Sequence, residues 1–195
     1  ALRQVTDKFI YLEEGDIARI KQDSVELFDK DFSAVERKCI AITDIVDPTD
    51  KAGYRHYMQK EIHEQPKAIA NTLEGRLSQE GVVCEILGEG AAEILSRIEC
   101  VQIVACGTSY HAGLIAKYFI EEWANIPCLV DIASEYRYRK VITPRNALFV
   151  SVSQSGETAD TLAALRKAKD NGYVSSLTIC NVANSSLVRE SAFNL

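Results

Sequence analysis

At 195 residues, with a 47% hydrophobic share and a net charge of −6, the chain has room for one domain, or one domain with a piece of another, and can bury a sizeable core. No apolar run reaches the ~18 residues of a membrane span, and residues 1–20 show neither the charged nor the apolar region of a secretory leader; the chain starts at Ala1 rather than Met, so a leader further upstream stays open. Basic residues are scattered through an acidic chain, which argues against nucleic acid or an acidic membrane surface as the main partner.

The six cysteines (Cys39, Cys84, Cys100, Cys106, Cys128 and Cys180) form no C-x-x-C pair, and several sit in apolar runs. This is the pattern of reduced, buried thiols in a cytoplasmic protein rather than of a disulfide framework.

Residues 8–45 read as short strands and turns: "KFIYLEEGDIARI" turns at Gly15, and "SVELFD" is a further alternating run before Asp29. Three short strands bury little on their own, so residues 1–45 read as the tail of an upstream domain. "TDIVDPTDKAG" has the Asp, Thr, Pro and Gly content of a linker, placed at 46–53 with a boundary near Asp50. Beyond it, Tyr54, Tyr57, Met58, Ile62, Ile69 and Leu73 fall near helical spacing, with Pro66 marking a break or a new first turn. Gly81 to Gly90 interrupts the pattern before a short helix in "AAEILSRI".

From residue 101 the rhythm is strand, turn, helix. "VQIVAC" (101–106) leads through Gly107 into a helix ending near Trp123, and "CLVDI" (128–132) leads into a short helix at Ser134–Tyr138. "ALFVSV" (147–152) leads into a helix from about Thr158 to Asn171, closed by Gly172, and "SSLTIC" (175–180) is a fourth strand before a helix in "SSLVRES". Strands apolar on both faces, alternating with helices, predict an α/β fold: a parallel sheet covered by helices on both faces, preceded by a β-rich tail.

Ligands of such sheets bind outside the carboxyl ends of the strands. Two βα turns there are unusually polar, "CGTS" (106–109) and "SQSGET" (153–158). Gly107 and Gly156 let backbone come close to a ligand, Ser109 and Ser155 are candidate helix caps, and the helices behind them offer free N–H groups. Neither turn holds a Lys or Arg, and neither fits a P-loop or a dinucleotide-binding glycine pattern. A single phosphate monoester suits such donors better than a nucleotide triphosphate with its metal. Plain helix capping by Ser153, Ser155 and Thr158 explains the same residues, and on residue chemistry alone the two readings stay even.

"ACGTSYHAG", "SEYRYRK", "SQSGETADTLAALR" and "ICNVANSSLVRES" together resemble the first sugar isomerase (SIS) half of the glutamine:fructose-6-phosphate aminotransferase family. "KFIYLEEGDIA" and "YRHYMQKEIHEQP" are similar to its glutaminase tail and to the helix opening its isomerase domain. The resemblance covers nearly the whole chain and implies residues 54–195 as the start of an isomerase domain of SIS type. It implies a cytoplasmic enzyme of hexosamine synthesis, a homodimer or higher assembly when intact, that forms glucosamine 6-phosphate from fructose 6-phosphate and glutamine. Ser109, Ser153, Gln154, Ser155 and Thr158 would hold the phosphate, Thr108 would contact the sugar, and Cys106 and Gly107 would line the pocket. No metal or organic cofactor is implied. The glutaminase nucleophile is expected before Ala1, and the base, ring-opening histidine and imine-forming lysine after Leu195, so this segment is expected to bind without turning over by itself. The rival reading is a SIS module that senses a sugar phosphate without chemistry.

Other residues have blander readings that outweigh sharper ones. His56 and His63, with Glu61 or Glu64 near, lack further ligands at metal spacing. His111 reads as an exposed first-turn residue, and Glu157 and Asp160 as acids complementing a helix dipole. Tyr136 to Arg139 read as a packed helix edge or subunit interface, and Cys106 as pocket wall rather than nucleophile.

Overall fold

The computed structural model describes residues 6–41, 51–79 and 81–195. The chain divides into two compact units, Ala1–Pro66 and Lys67–Leu195. Most of the expected linker, and the boundary near Asp50, lie outside the described residues.

Among its described residues the first unit contains five short strands rather than three. β1 (Lys8–Ile10) pairs antiparallel with β5 (Cys39–Ala41), while β2 (Ile17–Ile20), β3 (Val25–Phe28) and β4 (Ala34–Val35) form an antiparallel meander. Among its described apolar residues only Leu27 is buried, so local polar contacts hold its turns. Asp29 Oδ1 accepts from the N–H groups of Asp31 and Ser33, both at 2.9 Å. Arg37 donates through Nε and Nη2 to the two oxygens of Asp16 at 2.9 and 3.0 Å, and this fork holds the Asp16 carboxyl below its usual range.

Helix α1 (Tyr57–Leu73) carries Pro66 as an interior residue. The proline neither breaks the helix nor starts one; it forgoes the hydrogen bond that an N–H there would make to Ile62 C=O. His56 precedes the helix, and the His63 ring stacks on Tyr54 at 5.2 Å.

In the second unit, a two-rung ladder of β6 (Leu77–Ser78) and β7 (Gly81–Val82), a 3₁₀ turn and helix α2 (Ala91–Leu95) precede a five-stranded parallel sheet. Its strands are β8 (Cys100–Ala105), β9 (Cys128–Ile132), β10 (Ala147–Ser153), β11 (Ser175–Cys180) and β12 (Phe193–Asn194), in the spatial order β12-β11-β10-β8-β9. All six residues of β8 are buried, as the unbroken apolar run requires of a strand covered on both faces.

Helix α3 (Gly107–Phe119) covers one face, where Val101, Ile103, Leu148 and Val150 pack. Helices α4 (Ala133–Tyr138), α5 (Ala159–Asp170) and α6 (Ser186–Glu190) cover the other, around Val104, Tyr136, Phe149, Leu165 and Leu187. Two details go beyond the expected elements. A π turn at Ile120–Ala124 continues α3 to the end expected of it, with Trp123 largely exposed. The fifth strand is only two residues long, below any sequence signal. Its register is nonetheless fixed, with Phe193 buried opposite Leu177 and Cys180 N donating to Leu195 C=O.

Candidate functional site

The strand order places the site. From β8 the chain moves to one side to form β9, then returns across β8 to form β10. At such a reversal the loops leaving the two central strands separate in opposite directions and open a crevice between their carboxyl ends. A cavity of about 310 Å³ occupies this position.

Cys106, Thr108 and Ser109 line it from the turn after β8, and Ser153, Gln154, Ser155 and Thr158 from the turn after β10. Seven of the eight expected pocket residues thus share one cavity. The eighth, Gly107, is exposed and outside the lining, at φ +56° with open space around it. Val152 and Thr161 complete the wall. Thr161 escaped the sequence reading, although its place one helical turn beyond Thr158 puts both on one face.

The two turns are built differently. After β8 the chain passes directly into α3: Cys106 is the N-cap residue and Gly107 the first helical residue. Ser109 is therefore the third residue of the helix and not its cap, contrary to expectation, because the helix starts as soon as the strand ends. Among the described residues, the Thr108 and Ser109 side chains make no hydrogen bond within the protein. The free N–H groups of the first turn lie beside these hydroxyls. Cys106 Sγ accepts a long contact from buried Thr161 Oγ1 at 4.0 Å.

After β10 a short loop intervenes before α5. Buried Ser153 Oγ accepts from Gly156 N at 3.0 Å and lies 3.4 Å from Thr158 Oγ1, while Ser155 Oγ accepts from Glu157 N at 3.2 Å. Thr158, not Ser155, is the N-cap residue of α5, through its backbone. The Ser155 side chain is occupied in holding the loop, so it cannot reach the helix. Gly156 has φ +67° and is buried, and a Cβ there would overlap Ser185 and come within 2.8 Å of Cys180 Sγ.

The electrostatics come from backbone. Two long helices, α3 and α5, begin at the cavity and bring their unpaired N–H groups and positive dipole ends to it. No Lys, Arg, His, Asp or Glu is among the lining residues. Asp160, in the first turn of α5, is engaged by Arg137 Nη1 at 2.6 Å, and His111 is exposed, its ring edge-on to Tyr110. Such a site offers neutral donors and has no charged group on its wall suited to general acid or base work. Among the described residues no cluster of His, Cys, Asp or Glu could hold a metal ion, and no helix is long and apolar enough to cross a membrane. Cys128, buried in β9 well away from these turns, is the opposite of a reactive thiol: burial, with the Glu121 carboxylate nearby, pushes it up to about 11.

The comparisons with known proteins agree with this architecture. The chain is 58% identical over all its residues to glutamine–fructose-6-phosphate aminotransferase [isomerizing] of Pseudomonas aeruginosa, and 57% identical over 99% of its residues to the protein of that name in Vibrio vulnificus. It spans about a third of the length of these curated relatives, 32% in each case. The C-terminal domain of glucosamine-fructose-6-phosphate aminotransferase from Francisella tularensis superposes with a TM-score of 0.71 at 53% identity, over 75% of this chain and 41% of that one. Glucosamine-6-phosphate deaminase from Thermotoga maritima, at 22% identity and a TM-score of 0.55 over 72% of this chain and 40% of that one, shares the fold. Residues 94–195 match the SIS domain family, and with more than half of its length in that match the chain belongs to the SIS family.

Proposed function

We propose that this chain carries the sugar-phosphate cradle of an enzyme that forms glucosamine 6-phosphate from fructose 6-phosphate and glutamine. One observation carries the reading: two hydroxyl-rich βα turns and two helix N-termini meet at a single cavity without a charged side chain. The names of the close relatives supply the reaction. Ser109, Ser153, Gln154, Ser155 and Thr158 hold the phosphate through hydroxyl, amide and backbone donors, Thr108 contacts the sugar, and Cys106 and Gly107 border the pocket. Hydrogen bonds to a charged acceptor contribute ~1.5–3 kcal/mol each against ~0.5–1.5 for neutral pairs, so the dianionic end of the substrate anchors it. The wall lacks an acid or base, so proton transfers and imine formation belong to residues elsewhere in the intact enzyme.

On the same reading residues 1–45 are the end of a glutaminase domain, 46–53 the linker, and 54–195 the start of the isomerase domain of a cytoplasmic enzyme that assembles as a homodimer or larger. The test is calorimetric titration with fructose 6-phosphate and with fructose. The phosphate ester should bind far more tightly, and changing Ser153 and Ser155 together to Ala should weaken it by ~2–5 kcal/mol. Equal affinity for ester and free sugar would return these residues to plain helix capping.

A further inference from the structure

Glu157 stands beside the cavity in "SQSGET", yet a carboxylate next to an anion cradle is a liability unless something engages it. It is not in the first turn of α5, which starts at Ala159; it sits in the loop itself. Its Oε1 accepts from Ser186 N at 2.7 Å, the first backbone N–H of α6. The neighbouring residue makes a parallel bond, since Gly156 C=O accepts from Leu187 N at 3.1 Å. Two N–H groups of α6 that no carbonyl of its own helix can satisfy are thus taken up by the loop. Below them, Ser185 packs against the α-carbon of Gly156, and Cys180 Sγ donates a weak contact to Gln154 C=O at 3.7 Å. Helix α6 is itself anchored in the core by Leu187, which is fully buried.

We infer that Glu157 is a positioning residue of the phosphate loop: its carboxylate clamps the loop to the start of α6 and so holds the Ser153, Ser155 and Thr158 hydroxyls at the cavity. The clamp has a second effect. By giving its charge to a backbone donor on the side of α6, the carboxylate is kept from turning toward the bound anion, which it would repel. Glu157 touches no substrate; it acts through the backbone it fixes. The inference rests on the cavity being the phosphate cradle.

The prediction is specific to the hydrogen bond and not to the acid. In calorimetric titrations of the protein, Glu157→Ala should bind fructose 6-phosphate about tenfold more weakly, the loss of one charge-assisted bond, with fructose affinity unchanged. Glu157→Gln keeps an acceptor and should stay within about threefold of wild type. Ser186→Pro removes the donor at the one helical position where proline is favoured, and so should reproduce the Glu157→Ala loss without unfolding α6. Combining the two should be no worse than either alone within about twofold, because both delete the same bond. Thermal melting identifies any variant that fails to fold, and Ser186→Pro with Glu157→Gln then decides the matter. Wild-type ester affinity in Glu157→Ala or Ser186→Pro overturns the clamp while leaving the cradle intact. So does a Glu157→Gln variant as weak as Glu157→Ala, which would mean that the charge itself matters. A wild-type protein that binds ester and free sugar alike overturns cradle and clamp together.

Discussion

The two turns that meet at the cavity offer the same chemistry but are held by different means. The turn after β8 is shaped mainly by its own helix: Cys106 ends the extended stretch, Gly107 begins α3, and the donors that follow are set by the helix itself. The turn after β10 has extra residues to place, and it places them with tertiary contacts. Ser153 ties Gly156, Ser155 ties Glu157, and α6 ties both Gly156 and Glu157. One turn is therefore local, and the other depends on a helix that follows it by some thirty positions in the chain. Mutations that look alike in sequence should act differently at the two.

The sharpest test of that contrast uses their glycines. Both have positive φ, but Gly107 faces open space while Gly156 is packed against Ser185 and Cys180. Gly107→Ala should cost about 1–2 kcal/mol, the penalty of a left-handed conformation alone. Gly156→Ala adds overlap with buried Ser185 and half-buried Cys180 to the same penalty and should cost about 3 kcal/mol or more. Urea denaturation of the two variants measures the difference, and equal costs would mean that the second turn is as self-sufficient as the first.

A smaller effect separates the hydroxyls. Ser153 is buried and satisfies the Gly156 N–H, so Ser153→Ala should lower stability by about 1–3 kcal/mol even without ligand. Thr108 is exposed and its side chain makes no hydrogen bond within the protein among the described residues, so Thr108→Ala should stay within about 0.5 kcal/mol of wild type. Melting curves of the unliganded protein check both, and a destabilised Thr108 variant would mean that the first turn also leans on its side chains.

The same contrast governs what could be read in advance. Continuous apolar strands announce a doubly covered parallel sheet whatever their order, and Cys100–Ala105 needed no tertiary knowledge to be placed. The two polar turns were visible because Ser, Thr, Gln and Gly after a buried strand is an unusual combination. What stayed hidden depends on contacts distant in sequence. Ser155 reads as a cap because its hydroxyl suits one, but the loop turns it onto Glu157 N, and α5 starts later. Glu157 looked like a dipole-complementing acid because nothing local reveals that the start of α6 folds back upon it. Pro66 reads as a break or a new first turn because local propensity counts its missing N–H and not what the rest of the helix retains.

The smallest expected effect tests how firmly α6 itself is held. Arg166 of α5 donates through Nε and Nη2 to the two oxygens of Glu190 at the end of α6, at 3.0 and 2.8 Å, and Lys169 lies 3.9 Å from the same carboxylate. Hydrogen bonding from Arg166, more than the charges around it, holds the Glu190 carboxyl below its ordinary value of 4.5. Because the folded state favours the ionised form, the stabilisation is fully present above about pH 4.5 and is lost as pH falls through the lower, folded-state value. The Arg166 side chain is 56% exposed, so solvent screens the pair and its contribution should stay within about 1 kcal/mol. Glu190→Gln should therefore melt about 1–3 °C below wild type at pH 7, and the gap should close as pH drops below the carboxylate range. Because α6 supports only the second turn, Glu190→Gln should also weaken fructose 6-phosphate binding slightly at pH 7 without altering the first. A melting gap that persists unchanged into acid would assign the effect to packing around Glu190 and remove the ion pair from the support of the turn after β10.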